Sequence, residues 1–149
     1  MTASVRAPDP HDILHASCAA FGEKAVLIRG ASGSGKSALT LELLARGANL
    51  VADDRTCLRM TSRGVIAYAP HTLLGLIEAR GIGILHAEKA QPTRVALVID
   101  LDRTETERLP RARSCDLLGQ TLPLLHKING PHFAAAVLQY LRAGPWTPN

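Results

Sequence analysis

Residues Gly30–Ser37 read Gly-Ala-Ser-Gly-Ser-Gly-Lys-Ser and match the phosphate-binding pattern G-x-x-x-x-G-K-[ST] at each fixed position. The aliphatic run 25–28 before them predicts a buried strand, and the run 37–44 after them predicts a helix with one apolar face. This strand–loop–helix order is the setting that the motif requires, and a chance glycine-rich turn would not need it. Glycines let several backbone N–H groups converge on a phosphate at the positive end of a helix. The stretch therefore predicts a nucleotide-phosphate site.

The composition bounds the class of protein. The 149 residues are 46% hydrophobic and 20% charged, which is typical of one globular domain over 1–149, with flexible tails expected at 1–10 and 144–149. The net charge of +4 suits anionic partners such as nucleotides or an acidic protein face. Aromatic residues make up only 3% of the chain, which argues against a stacking platform for single-stranded nucleic acid.

Cysteines and apolar runs indicate the compartment. Cys18, Cys57 and Cys115 lie far apart without metal-ligand spacing, so we expect reduced thiols rather than a disulfide framework or a metal site. No apolar run reaches the length of a membrane span, and the first ten residues lack the apolar core of a signal peptide. These features predict a cytoplasmic protein with no membrane partner.

The remaining pattern predicts a sheet that is at least partly antiparallel. Residues 13–21 read as one strand, which turns at 22–24 into the strand before the phosphate loop, and a second hairpin is expected over 56–68. The run 94–100 predicts a buried strand, and 133–141 predicts a helix with an apolar side. Gly81 and Gly83 suggest a backbone that closely approaches another group.

Two positions could place a carboxylate beside a metal ion. Asp53 and Asp54 follow the short apolar strand 50–52, and adjacent carboxylates repel each other and favour a bound cation. Asp100 ends the aliphatic run 95–99, as the aspartate of a conventional Walker B strand does. Either position could instead be an ordinary polar strand end or a solvated turn. Spacing alone leaves the choice open.

Three motifs in order resemble the catalytic domain of the HPr kinase/phosphorylase family, over roughly residues 12–110. They are the phosphate loop, Arg46–Asp54 (RGANLVADD) and Glu78–Ile84 (EARGIGI), against family patterns R-G-x-x-L-V-A-D-D and E-x-R-G-[LI]-G-I. The resemblance implies an α/β fold, a P-loop kinase with a mixed, largely antiparallel sheet similar to the catalytic core of phosphoenolpyruvate carboxykinase. It also implies an ATP-dependent protein serine kinase that phosphorylates the phosphocarrier protein HPr and so regulates the phosphotransferase system and carbon and nitrogen metabolism.

The resemblance further implies which residues hold the nucleotide and the metal ion. Lys36 would bind the phosphates, Ser37 and Glu78 would hold Mg²⁺, and Asp53 would lie on the metal side. The nucleotide-binding set is the loop with the first helical residues: Gly30, Ala31, Ser32, Gly33, Ser34, Gly35, Lys36, Ser37 and Ala38.

Three further residues are given catalytic roles by the resemblance. Asp54 would be the base that takes the seryl proton, although the order of roles within Asp53 and Asp54 stays open. His15 stands where the family has a site histidine, whereas a lone strand histidine is more often structural. Arg108 resembles the arginine of the family's D-R-L segment, which would stabilise charge on the transferred phosphoryl group.

The chain departs from the family pattern in two places. The N-terminal domain of the long members has no counterpart, and Leu122–Gly130 stands where the family has P-V-x-P-G-R-N, the stretch linked to dephosphorylation. Lys127 in that segment lacks the planar fork with which an arginine orients a phosphate. We therefore expect strong kinase activity and weak or absent phosphorolysis by inorganic phosphate to give pyrophosphate.

Two other functions stay open. A small-molecule P-loop kinase would use Asp100 on the metal, and that class usually carries a substrate lid, for which no long arginine-rich segment is seen. A regulatory module would bind ATP without transferring phosphate. The partners implied by the resemblance are HPr and ATP, with pyrophosphate and phosphate as further ligands, and a homo-oligomer of six chains.

Overall fold

The computed structural model describes residues 12–148, so the predicted tail 1–10 lies outside the described residues. The described chain forms a sheet, a separate hairpin and two helices. The strands are β1 (Asp12–Leu14), β2 (Ala16–Phe21), β3 (Lys24–Arg29), β4 (Asn49–Ala52), β5 (Thr56–Thr61), β6 (Gly64–Tyr68), β7 (Leu76–Ala79), β8 (Gly83–His86), β9 (Thr93–Thr104), β10 (Arg113–Leu117) and β11 (Gln120–Lys127). The helices are α1 (Lys36–Ala45) and α2 (Phe133–Ala143), and a 3₁₀ turn spans His71–Leu73.

The main sheet is mixed and largely antiparallel. Its strand order is β1-β5-β6-β9-β3-β2-β4, with β11 beside β9 and β10 beside β11. Two of its described pairings are parallel, β3 with β9 and β9 with β11, and its other described pairings are antiparallel. The hairpin of β7 and β8 forms a second, two-stranded sheet. The expected mixed, largely antiparallel α/β fold is confirmed.

The two faces of the sheet bury two separate cores. Side chains alternate between the faces of a strand, so β3 sends Ala25 and Leu27 into one cluster and Val26 and Ile28 into the other. The second cluster is completed by α1 and α2, through residues such as Leu43, which is fully buried. Truncating such a side chain to alanine costs about 2–5 kcal/mol of stability, so this packing fixes α1, and with it the phosphate loop, against the sheet.

The predicted elements around the loop are confirmed. The strand before the loop, both hairpins and both helices form, and α1 ends before Gly47, which has the positive φ of 106° usual after a helix C-terminus. Four apolar residues of α2 are buried as expected: Phe133, Val137, Leu138 and Leu141.

One structural expectation is wrong, and another is not tested by the described residues. The single strand expected over 13–21 is broken at His15 into β1 and β2, because β1 pairs with β5 while β2 pairs with β3 and β4. At Gly81 and Gly83, a Cβ would meet no described atom within 4 Å, so a close approach to a group outside residues 12–148 stays a prediction. Their φ values of 88° and 142° already favour glycine, because residues with a Cβ rarely adopt them.

Candidate phosphate-binding and catalytic site

The phosphate loop joins the end of β3 to the first turn of α1. Gly33 and Gly35 have φ values of 81° and 103°, which favour glycine. Gly30 is required for a second reason, because a Cβ there would collide with the Ser34 hydroxyl. That hydroxyl oxygen is buried and has no hydrogen-bond partner among residues 12–148. An unsatisfied buried donor inside a glycine cradle fits a site that an acceptor-rich group such as a phosphate would complete.

Lys36 lies within this loop and is only 6% exposed. Its ammonium donates hydrogen bonds to the backbone oxygens of Gly30, at 2.8 Å, and Ala31, at 3.1 Å. A buried ammonium needs such acceptors, and carbonyl oxygens are weaker partners for it than phosphate oxygens. The contacts therefore hold the Lys36 ammonium at the loop, where phosphate oxygens could replace the two carbonyl oxygens as its hydrogen-bond partners.

Asp53 joins the loop to two other parts of the chain. One carboxylate oxygen accepts hydrogen bonds from the Ser37 hydroxyl at 2.6 Å and from the Ser17 hydroxyl at 2.9 Å. The other oxygen accepts the backbone N–H of Glu78 at 3.0 Å. The sequence left open whether the aspartate pair or Asp100 lies beside the loop serine. In the structure, Asp53 of the pair contacts that serine.

Asp54 turns away from Asp53 and meets His15. Its Oδ1 lies 2.6 Å from His15 Nε2, and both side chains are about half exposed. The φ of 66° at Asp54 is left-handed, a conformation in which aspartate is enriched among non-glycine residues. The Ser17 hydroxyl also accepts the backbone N–H of Asp54 at 3.0 Å. The two neighbouring carboxylates therefore face different partners, one the loop serine and the other a histidine.

Ser17 is a site residue that sequence reasoning missed. It is fully buried in β2, and its hydroxyl contacts both members of the aspartate pair. Ser17 lies near the aspartates because β2 pairs with β4, the strand before them, with Cys18 opposite Ala52. This pairing joins distant segments, so no local sequence pattern indicates Ser17.

Asp100 has other partners than the loop serine. Asp100 lies beside Arg29 in the parallel pairing of β3 and β9, and its Oδ1 accepts the backbone N–H of Asp102 at 2.9 Å. No hydrogen bond joins Asp100 to Ser37 among residues 12–148. Asp100 instead lines a cleft of about 520 Å³ shared with His15, Gly30 and Asp102.

The remaining predicted site residues are placed less closely. Glu78 reaches Asp53 through its backbone, while its side chain is exposed. Arg108 lies exposed in the loop 105–112, and within residues 12–148 it makes no hydrogen bond or ion pair with the aspartates or the phosphate loop. Their assigned roles stay predictions.

A magnesium ion would fit the donor set at Ser37 and Asp53. Mg²⁺ takes oxygen ligands and usually keeps one or two carboxylates together with substrate phosphates and waters. Within residues 12–148, no group of three or more His, Cys, Asp or Glu side chains forms a metal cluster. The hydroxyl and carboxylate therefore match a site that a nucleotide phosphate completes, rather than a cage made by the protein alone.

The cysteines behave as ordinary thiols. Cys18, Cys57 and Cys115 are all free, and burial raises the pKa of each above its usual value, that of Cys18 most strongly. A thiol with a raised pKa stays in its protonated, less reactive form.

Among the helices of the described residues, none is long and apolar enough to cross a membrane.

Strand, glycine loop, helix and mixed sheet together define a P-loop kinase fold. The chain belongs to the family described as the HPr Serine kinase C-terminal domain, whose sequence model matches residues 9–122. It is 42% identical over 97 residues to the HPr kinase/phosphorylase of Bordetella pertussis, an alignment that covers 57% of this chain and 32% of the relative. The corresponding protein of Variovorax paradoxus is 41% identical over 108 residues, 63% of this chain and 34% of the relative.

A solved structure supports the same relationship. The HPr(Ser) kinase/phosphatase from Coxiella burnetii superimposes with a TM-score of 0.68 at 25% sequence identity, over 88% of each chain. The chain spans about a third of the length of the curated relatives it matches. The family expected from the three motifs is confirmed.

Proposed function

We propose that this chain is an ATP- and Mg²⁺-dependent protein serine kinase that phosphorylates a seryl hydroxyl of an HPr-type phosphocarrier protein. The observation that carries the proposal is the arrangement of the aspartate pair. Asp53 contacts Ser37 of the phosphate loop at 2.6 Å, and the adjacent Asp54 contacts His15 at 2.6 Å. We infer from these contacts that Asp53 would act at the phosphate end of the transfer site and that Asp54 would act on the acceptor.

The chain's own residues would contribute mainly positioning and charge. Phosphoryl transfer needs its donor and acceptor held in line, with the charge of the transferred group neutralised. Lys36 and the loop N–H groups would hold the phosphates, and Ser37 with Asp53 would hold the metal ion, Glu78 adding its carboxylate. When bound, Mg²⁺ would act as a Lewis acid that offsets the negative charge of the phosphates.

Asp54 would act on the acceptor. A carboxylate within hydrogen-bond reach of a seryl hydroxyl can align it and take its proton during attack. His15 would orient that carboxylate through the 2.6 Å contact, and Ser17 would fix the backbone that carries it. Arg108, whose side chain is exposed, would stabilise charge on the transferred phosphoryl group.

The relatives' names support HPr as the acceptor, since those proteins are called HPr kinase/phosphorylase or HPr(Ser) kinase/phosphatase. We propose the same partner for this chain, together with cytoplasmic location, a role in regulating the phosphotransferase system and a ring of six chains. A small-molecule kinase with Asp100 on the metal is not favoured, because Asp53 rather than Asp100 contacts the loop serine.

The test is direct transfer. Purified chain, Mg²⁺ and γ-labelled ATP are incubated with HPr, and the labelled residue is mapped by mass spectrometry. We expect label on one serine of HPr, and the matched control is HPr with that serine changed to alanine. ATP binding with no labelled HPr would favour a regulatory module, and label on a small molecule would favour the other kinase class.

A further inference from the structure

Asp102 contacts the phosphate loop from the neighbouring strand. Its Oδ1 accepts the backbone N–H of Ala31 at 3.0 Å. The register explains the contact: Arg29 lies beside Asp100 in the parallel pairing of β3 and β9, so the residues two further along each strand also come side by side. Within the same strand, Asp100 accepts the backbone N–H of Asp102 at 2.9 Å.

Lys36 holds the same part of the loop from the other side. It donates to the oxygens of Gly30 and Ala31 at 2.8 and 3.1 Å, while Asp102 accepts the N–H between them. In the proposed reaction the Lys36 ammonium turns to the nucleotide phosphates and no longer donates hydrogen bonds to the two backbone oxygens. Asp102 is then the side chain that still ties the start of the loop to β9.

We propose that Asp102 is a positioning residue of the phosphate loop, which anchors the Ala31 amide so that the loop keeps its shape when Lys36 engages a nucleotide. The proposal rests on the proposed function for the identity of the ligand. A negative charge beside a phosphate site by itself repels the ligand. The proposed role of Asp102 is therefore the hydrogen bond that it accepts from the Ala31 N–H, and not its charge.

Two substitutions separate these effects. Asp102→Asn keeps an oxygen that can accept the Ala31 N–H and removes the charge, whereas Asp102→Ala removes both. We expect Asp102→Asn to bind Mg·ATP as tightly as the unmodified chain or more tightly. We expect Asp102→Ala to bind it about three- to tenfold more weakly, which corresponds to the net contribution of one ordinary hydrogen bond. The matched control is Asp116→Ala, which removes an exposed carboxylate in β10.

The experiment measures Mg·ATP affinity by calorimetry and amide hydrogen exchange of peptides covering residues 30–35, with and without nucleotide. The anchoring role predicts faster loop exchange in Asp102→Ala alone, largest in the nucleotide-bound state, and a change in the KM for ATP that exceeds the change in kcat. Asp102 is exposed, so its loss leaves the core packing unchanged, and exchange outside the loop checks this.

Several results would overturn the proposal. Asp102→Ala could bind nucleotide as tightly as the unmodified chain, or Asp102→Asn could lose as much affinity as Asp102→Ala, which would make the charge the cause. An unmodified chain that binds no nucleotide would instead refute the proposed function. Amide hydrogen exchange of the loop without nucleotide would then still test whether Asp102 anchors it. Equal loop exchange in the unmodified chain and in Asp102→Ala would refute the anchoring role.

Discussion

Replacing Asp54 by asparagine tests the proposed base with little disturbance of the fold. The substitution removes one proton-accepting oxygen and the charge while keeping the shape. The side-chain oxygen of asparagine could still meet His15, and asparagine tolerates the left-handed φ of 66° at this position. The hydrogen bond from the backbone N–H of Asp54 to Ser17 is unaffected. Any large loss of activity would therefore report on the chemistry.

The expected size follows from the exposure and the role of the residue. The contact between His15 and Asp54 lies at the surface, with side chains 49% and 57% exposed, and such pairs contribute at most about 1 kcal/mol to stability. A positioned general base contributes about 10²- to 10⁴-fold to the rate, which is about 2.7–5.4 kcal/mol of transition-state stabilisation. We expect kcat to fall by that factor while the KM for ATP changes about threefold or less.

The assay is labelled transfer from Mg·ATP to HPr at several concentrations of each substrate, with thermal unfolding as a check on folding. Asp100→Asn is the comparison, because the rival assignment gives that residue the metal. Asp100 contacts the backbone of Asp102 rather than Ser37, so we expect a loss of less than about tenfold, typical of one displaced hydrogen bond.

Two results would contradict this assignment. If Asp100→Asn is the more damaging change, the conventional Walker B assignment is right and Asp54 is not the base. If Asp54→Asn retains full turnover in a folded chain, the seryl proton leaves by another route and Asp54 is not the base.

Three further predictions concern the loop, an ion pair and the direction of the reaction. Lys36→Ala should abolish transfer to HPr while circular dichroism stays unchanged, since the ammonium holds only two loop carbonyls; undiminished transfer would remove the motif from the mechanism. The hydrogen bond from Arg113 holds the pKa of Glu105 at about 2, below the ordinary 4.5, so this pair stabilises the fold above pH 4.5 and loses that contribution as the pH falls towards 2. Acid unfolding should show a smaller fall in stability over this range for Glu105→Gln, and identical profiles would contradict the shift. Phosphorolysis of seryl-phosphorylated HPr should be weak or absent, because Leu122–Gly130 lacks the Pro-Gly-Arg element; pyrophosphate release as fast as the forward reaction would show that the element is not needed.

The parts of the fold that were predicted from the sequence have local causes. The phosphate loop, α1 and the hairpin of β5 and β6 each follow from a motif, a periodicity or a turn within a few residues.

The hairpin of β10 and β11 was missed because its signals are unusual. Its turn places Leu118 and Gly119 at φ values of 50° and 88°, where Asn-Gly is the ordinary sequence. Pro123 also argues against a strand, but it precedes the residues of β11 that pair with β9.

The site could be predicted only in part for the same reason. The loop residues are contiguous, and the aspartate pair was found by its position after a strand. The choice between Asp53 and Asp100 depends on which strand end lies beside Ser37, and this is set by pairings between distant segments. Ser17 and Asp102 reach the site through those same pairings, so no local pattern indicates them.

The position of β9 has a consequence for how the chain is made. β3 pairs with β2 on one side and with β9 on the other, and β9 begins at Thr93, far beyond the end of β3 at Arg29. A ribosome therefore releases the phosphate loop and the aspartate pair while one edge of the buried strand β3 still lacks its neighbour. An open apolar edge is a template for pairing with other chains, and distant strand pairings close slowly. During synthesis the nascent chain thus depends on early closure of the local hairpins, and the arrival of β9 ends its most aggregation-prone stage.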